Sequence, residues 1–441
     1  MTQLYFHLRL YTVTLLLLSP FFLSAQALEK KVAGQLPGSL ELYKYLHQHP
    51  ELSFQEEASA AKMADLLKAS GFEVSTGIGG HGVVGVYRNG KGPTILVRCD
   101  TDGLPVKEET GLSYASKATG KNLQGLDVNV MHACGHDLHM AVWAGTAKLL
   151  HELRDQWKGT LVFIAQPAEE VSGGAKAMLK EGLYDKFPKP DYALALHVSP
   201  SLQAGTVGIC PEYAMANVDM VNITVYGQGG HGAYPHTTID PVVISSKLVL
   251  ELQTIVSREI SPLQPAVLTV GSIHGGTKGN VIPEFVEMEL TLRSYDDGVR
   301  EHLIEGIRRT AKGLAIANQL PENLHPVISI QDQSTPSLYN DPALSERFRG
   351  VASAVLGADK VLEVEPSMAG EDFGRYGRQE YKVPILLYWL GTVSTEKYQQ
   401  SQAGNLKLPP LHNAYFAPDP EPTLRTGLQT MTAAILDLCK K

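Results

Sequence analysis

The sequence predicts an α/β fold: a mainly parallel sheet covered by helices on both faces, interrupted by an inserted β-α-β-β-α-β domain of ferredoxin-like order. Three observations predict it. The apolar runs TILVR, TLVFIAQ and YALAL alternate with helical stretches, notably Met140 to Leu153 and Gly174 to Glu181. From about Met215 the order becomes strand, helix, two strands, helix, strand. After Gln331 the first pattern resumes. A chain of 441 residues is long enough for two domains and a large core.

Residues 1–27 read as a secretory signal peptide. His7 and Arg9 precede the apolar run LYTVTLLLLSPFFL, and Ala25-Gln26-Ala27 offers a small-x-small cleavage site. Pro20 counts against an uncleaved membrane span, the alternative being a signal anchor. A secreted or periplasmic protein with no membrane partner after cleavage is expected. Leu40 to His47 has helical period and Pro50 ends it; Gln55 to Ser70 is a second helix closed by Gly71. GIGGHG joins two strands, so its G-x-G-x-x-G spacing is not a dinucleotide fingerprint, and GQGGHG later fails the same test. The first part of the sheet domain spans 28–214, the inserted domain 215–331 and the second part 332–441. Within the insert, VDMVNITVYG, AVLTVGSIHGG, FVEMELTLRSY and HPVISI are strands. Asp240-Pro241 caps a helix to about Glu259, and Val299 to Asn318 forms another. A helix at Pro342 to Leu356, the strand PILLYWLG and a helix at Thr423 to Leu438 complete the chain.

A net charge of −8 with no basic block argues against nucleic acid or an anionic membrane as partner. Four irregularly spaced cysteines do not form a disulfide framework. The chemistry concentrates where the apolar runs end, which in parallel sheets is where ligands bind. TILVR leads into Cys99-Asp100-Thr101-Asp102, TLVFIAQ into Pro167-Ala168-Glu169-Glu170, and YALAL into His197. The stretch MHACGHDLHM adds Cys134 and His136, a thiolate and imidazole pair suited to zinc-like metals, with Gly135 allowing the turn between them. An ordinary helix start with a buried thiol is the other reading of that pair.

Cys134, His136, Glu170, His197 and His412 exceed what one closed tetrahedral site needs and fit two dications sharing a bridging ligand. Cys134 is a plausible bridge. Of the adjacent Glu169 and Glu170, one can bind metal while the other stays free as a general base. Asp102 can orient a metal-bound histidine. Asn280 and Arg293 can hold a substrate carbonyl and carboxylate. His81 and His139 read as surface or helix histidines, and the loop HGAYPH, with His231 and His236, reads equally as a polar loop.

In fixed order, MHACGHD after CDTDGLPV, then FIAQPAEE, the His of LALHV, GGHGAYPH, GNVIPE, AGEDF and LHNAYF closely resemble the bimetallic amidohydrolases. That family includes aminoacylases, hippurate hydrolase, thermostable carboxypeptidases and indole-acetyl-amino-acid hydrolases. The resemblance spans essentially the whole mature chain. It implies a zinc-peptidase-like three-layer catalytic domain with an inserted lid or dimerisation domain. It also implies two divalent ions, Zn or Mn, Co or Ni, with Cys134 bridging and His136, Glu170, His197 and His412 completing the sites. Glu169 is implied as the base. His231 is implied to reach the active site of the other subunit of a homodimer and stabilise the oxyanion, with Asn280 and Arg293 binding substrate. The implied substrate is an N-acyl amino acid. A dipeptidase or carboxypeptidase acting on short peptides is the alternative, and a periplasmic metal-binding or sensing protein is the alternative of another class. The chain departs from the family pattern at RCDTDGLP (usually RADMDALP), at Leu138, and at Asn413-Ala414 after His412. Cys99 is thereby a candidate extra soft ligand.

Overall fold

The computed structural model describes residues 20–332 and 334–440. Most of the expected leader, residues 1–19, lies outside them. Among the described residues no helix is long and apolar enough to cross a membrane.

The main sheet has eight strands. In spatial order they are Glu73–Thr76, Val83–Arg88, Thr160–Gln166, Thr94–Asp100, Tyr192–Gln203, Ile385–Val393, Val207–Ile209 and Val361–Glu363. The middle four run parallel. They are near-continuous apolar runs because both faces are covered. Strand Thr94–Asp100 shows the consequence: Ile95, Val97 and Cys99 enter the core on one face, while Leu96 enters the core on the other. Helices Pro20–Gln48, Glu57–Ala69, His136–Glu152, Pro342–Leu356 and Pro420–Leu438 supply the first layer. Gly174–Lys180 and the segment around Tyr376 supply much of the other.

Two helices begin earlier than their sequence pattern suggests. The first runs from Pro20 through Pro37 to Gln48, burying Leu28, Val32, Leu36, Tyr43 and Leu46 along one stripe. Pro37 is accommodated despite lacking an N–H, and the stripe on either side is continuous. The helix expected from Met140 starts at His136, directly after Gly135.

The inserted segment forms a separate four-stranded antiparallel sheet, ordered Ala266–Gly275, Phe285–Ser294, Asn217–Tyr226 and Val327–Ile330. Burial alternates strictly along Asn217–Tyr226, as a sheet with one covered face requires. Helices Pro241–Thr254 and Asp297–Ala317 cover that face through Leu248, Leu303 and Ile307. Asp240 caps the first by accepting from the Val242 and Val243 amides, with Pro241 at the first position. The chain enters and leaves this unit side by side: Val218 and Thr335 exchange two backbone hydrogen bonds of 2.8 Å.

Candidate active site

Three strands and one helix start deliver the site. Gly135, at φ 78°, makes the turn from Cys134 into the helix at His136; a Cβ there would stand 2.6 Å from Val198 Cγ2. Cys134 Sγ lies 3.5 Å from His197 Nε2 and 3.3 Å from His412 Nε2. His412 Nε2 is 3.4 Å from Glu170 Oε2. The His412 amide donates to the Ala133 carbonyl at 2.9 Å, tying the late segment to the turn before Cys134. His197 bonds the Val198 carbonyl through Nδ1 at 2.8 Å, so its other nitrogen presents a lone pair toward Cys134. His197 sits inside its strand because Ile385–Val393 stays paired with that strand beyond it.

The donor set fits metal. Cys134, His136 and His197 place ligand atoms within 4.8 Å of one another, as do Cys134, Glu170 and His412. The two triads share one sulfur, which is what a thiolate bridging two cations requires. Both ring nitrogens of His136 and Oε1 of Glu170 are buried without a hydrogen-bond partner. Such groups are costly unless something pairs with them. Electrostatics agree. Burial opposes protonation of His136, but Asp100, Asp102 and Glu170 outweigh it and lift its pKa to about 10. Burial pushes the Glu170 carboxyl up to about 8, with Asp102 and Asp100 adding to it against the pull of His136. The cluster holds more buried acid than its own cations neutralise.

Several holders of the site were not singled out in the sequence. His139, read as a surface or helix histidine, is buried, with Nδ1 2.6 Å from Asp100 Oδ1 and Nε2 accepting from the Val198 amide at 3.0 Å. Burial holds its pKa near about 4, so it is neutral and donates to Asp100 through Nδ1. Arg98 is fully buried and bonds Asp100 at 2.6 Å, Glu371 at 2.9 Å and Asp372 at 3.2 Å. Cys99 faces the helix-side core and joins none of the metal-competent groups among the described residues, so it is not a ligand. Alternation along the strand turns it away from Arg98 and Asp100.

Asp102 organises the turn that carries the two glutamates. Its oxygens accept from the amides of Glu169 at 3.2 Å and Glu170 at 3.0 Å and from Ser53 Oγ at 2.7 Å, and its Oδ1 lies 3.4 Å from His136 Nδ1. Among the described residues seven non-glycine residues have positive φ, and four are here: Phe54, Ala168, Ser172 and His412. Strain of that kind costs roughly 1–3 kcal/mol each and persists where neighbours over-determine it.

The site opens into a cleft of about 720 Å³. Cys134, Glu169, Glu170, His197 and His412 line one wall and Arg293, from the inserted domain, another. His231 and Asn280 do not line it. They sit exposed on adjoining segments of the inserted domain, where the Gly232 amide donates to the Asn280 carbonyl at 2.9 Å.

The model of peptidase family M20/M25/M40 matches residues 96–436. The chain belongs to this family. It is 38% identical over 351 residues to an N-acetyl-L-cysteine deacetylase of Bacillus subtilis, covering 79% of this chain and 78% of that one. It is 35% identical over 363 residues to thermostable carboxypeptidase 1 of Saccharolobus solfataricus, covering 81% and 86%. Among solved structures, a dinuclear metal-binding M20 peptidase from Bacillus subtilis superposes with a TM-score of 0.73 at 30% identity, covering 94% of this chain and 99% of that one. This M20 protein is a metal-dependent hydrolase.

Proposed function

We propose that this M20 hydrolase cleaves the amide bond joining an acyl group to an amino acid, with Glu169 as general base. One observation carries the reading. Arg293 projects into the cleft that holds the metal-ligand set, and it bonds only neutral groups, the Thr291 hydroxyl and the Leu292 carbonyl. No carboxylate pairs with it among the described residues, so a cation half-buried in the cleft has an open place for a substrate carboxylate. Leu202, Val364 and Trp389 give the same cleft an apolar wall for an acyl group or side chain, and the Trp389 ring stands 5.3 Å from that of His197. The deacetylase relative supports this class of substrate.

Two bound dications supply a polarised carbonyl and a water acidic enough to lose its proton near neutral pH. Cys134, His136, Glu170, His197 and His412 would hold them. Glu169, at the cleft wall beside Glu170, takes that proton and returns it to the departing amine. Asp102 fixes the backbone of both glutamates and orients His136. Arg293 holds the carboxylate, which sets the scissile carbonyl against the ligand set. His231 and Asn280, exposed and absent from the lining of their own chain's cleft, serve the cleft of a second copy in a homodimer, where His231 stabilises the carbonyl oxygen as it gains charge.

The test is amine release from N-acetyl and N-benzoyl amino acids, their carboxamides and short peptides, before and after chelation and metal addition. Hydrolysis that chelation abolishes, metal restores and a free carboxylate favours at least tenfold is expected. Preference for dipeptides would move the assignment to the dipeptidase or carboxypeptidase reading. Indifference to the carboxylate would overturn the role of Arg293.

A further inference from the structure

We infer that Glu56 is a positioning residue that holds the turn bearing Glu169 and Glu170. Its side chain is fully buried, and Oε1 accepts from the Ala168 amide at 2.7 Å. Ala168 is itself buried and left-handed, with φ 52°. An alanine avoids that conformation unless it is held there.

Glu56 stands at the start of helix Glu57–Ala69, where an acid is usually read as a helix cap. It is not one here. Its side chain makes no cap bond, and Glu51 takes that role, accepting from the Ala58 amide at 3.0 Å and the Ser59 amide at 2.7 Å. The Glu56 carboxylate is thereby free to turn inward. The segment between these acids also touches the site, since Ser53 Oγ donates to Asp102. Three successive amides, Ala168, Glu169 and Glu170, therefore end on two buried carboxyls, Glu56 and Asp102. Together with the Ser172, Gly173 and Gly174 amides, which donate back to the Glu169 and Ala168 carbonyls, they fix the direction in which the two glutamate side chains leave the backbone.

Burial, then the charge of Asp102, pushes the Glu56 carboxyl up to about 8, so near neutral pH it is largely uncharged. Its Oε2 has no hydrogen-bond partner. The useful property of Glu56 is one acceptor oxygen at the right reach. Glutamine supplies that; aspartate falls short by a methylene, and leucine fills the space without an acceptor.

The inference rests on the roles proposed for Glu169 and Glu170. Glu56→Gln, Glu56→Asp, Glu56→Leu and Glu169→Gln are compared with the wild type for kcat, KM and the affinity of the stripped protein for Zn²⁺. Glu56→Gln is expected to match the wild type. Glu56→Asp and Glu56→Leu are expected to lose about 10–100-fold in kcat or metal affinity with KM changed less than about twofold. Wild-type kcat and metal affinity in both Glu56→Asp and Glu56→Leu would overturn the inference. So would a Glu56→Gln variant as impaired as Glu56→Asp, because the acid and not the acceptor would then matter. If Glu56→Leu fails to fold, the Glu56→Asp and Glu56→Gln pair decides. Full turnover in Glu169→Gln would instead remove the underlying reading of the turn.

Discussion

At the scale of single residues, several buried titratable groups in this protein are paired across long sequence distances, and such a pairing has a pH signature. His47 is an example outside the metal-ligand set. Its Nδ1 lies 2.6 Å from Asp137 Oδ2 and its Nε2 lies 3.1 Å from Glu108 Oε1. Burial alone would lower its pKa, but the two acids outweigh burial and lift it to about 10. A histidine whose folded pKa exceeds the unfolded value of about 6.5 contributes stability that is complete below about pH 6.5 and is lost as pH rises through about 10. The wild type should therefore lose stability on the order of a few kcal/mol between pH 7 and pH 10 that His47→Gln does not lose. Urea midpoints of both proteins across that window measure it. Parallel pH dependence in the two would show that His47 is not charged in the fold.

At the scale of elements, what was legible was local. An apolar run that ends in Asp102, in Glu169 and Glu170, or in His197 announces a buried strand with chemistry at its carboxyl end, and the sheet arranges these runs side by side. The inserted β-α-β-β-α-β order was legible for the same reason: its strands alternate, and Asp240-Pro241 marks a helix start. Apart from Asp102, what holds the site was not legible. Arg98 meets Glu371 across 273 positions and Glu56 meets Ala168 across 112, and no local period reports such a contact. Glu56 carried no local sign of its inward turn, which is open to it because Glu51, five residues earlier, does the capping. His139 looked peripheral because nothing on its own helix reports its partner, here Asp100. The first helix was read too short because the leader and Pro37 obscured the stripe of Leu28, Val32 and Leu36.

At the scale of the whole molecule, one chain presents Cys134, Glu170, His197, His412, Glu169 and Arg293 in a single cleft but leaves His231 and Asn280 exposed outside it. In the proposed homodimer each cleft is completed by the other copy. Co-expression tests this. Glu169→Gln and His231→Ala are each expected to be nearly inactive, yet a mixed dimer contains one cleft with both residues intact and should recover activity. No recovery would show that His231 does not act across the interface. The central claim, that Glu169 moves the proton while its neighbours hold the metals, is tested most directly by Glu169→Gln alone. The variant should keep two metal ions per chain and lose about 10²–10⁴-fold in kcat. Turnover near the wild-type level with the same metal content would contradict the account.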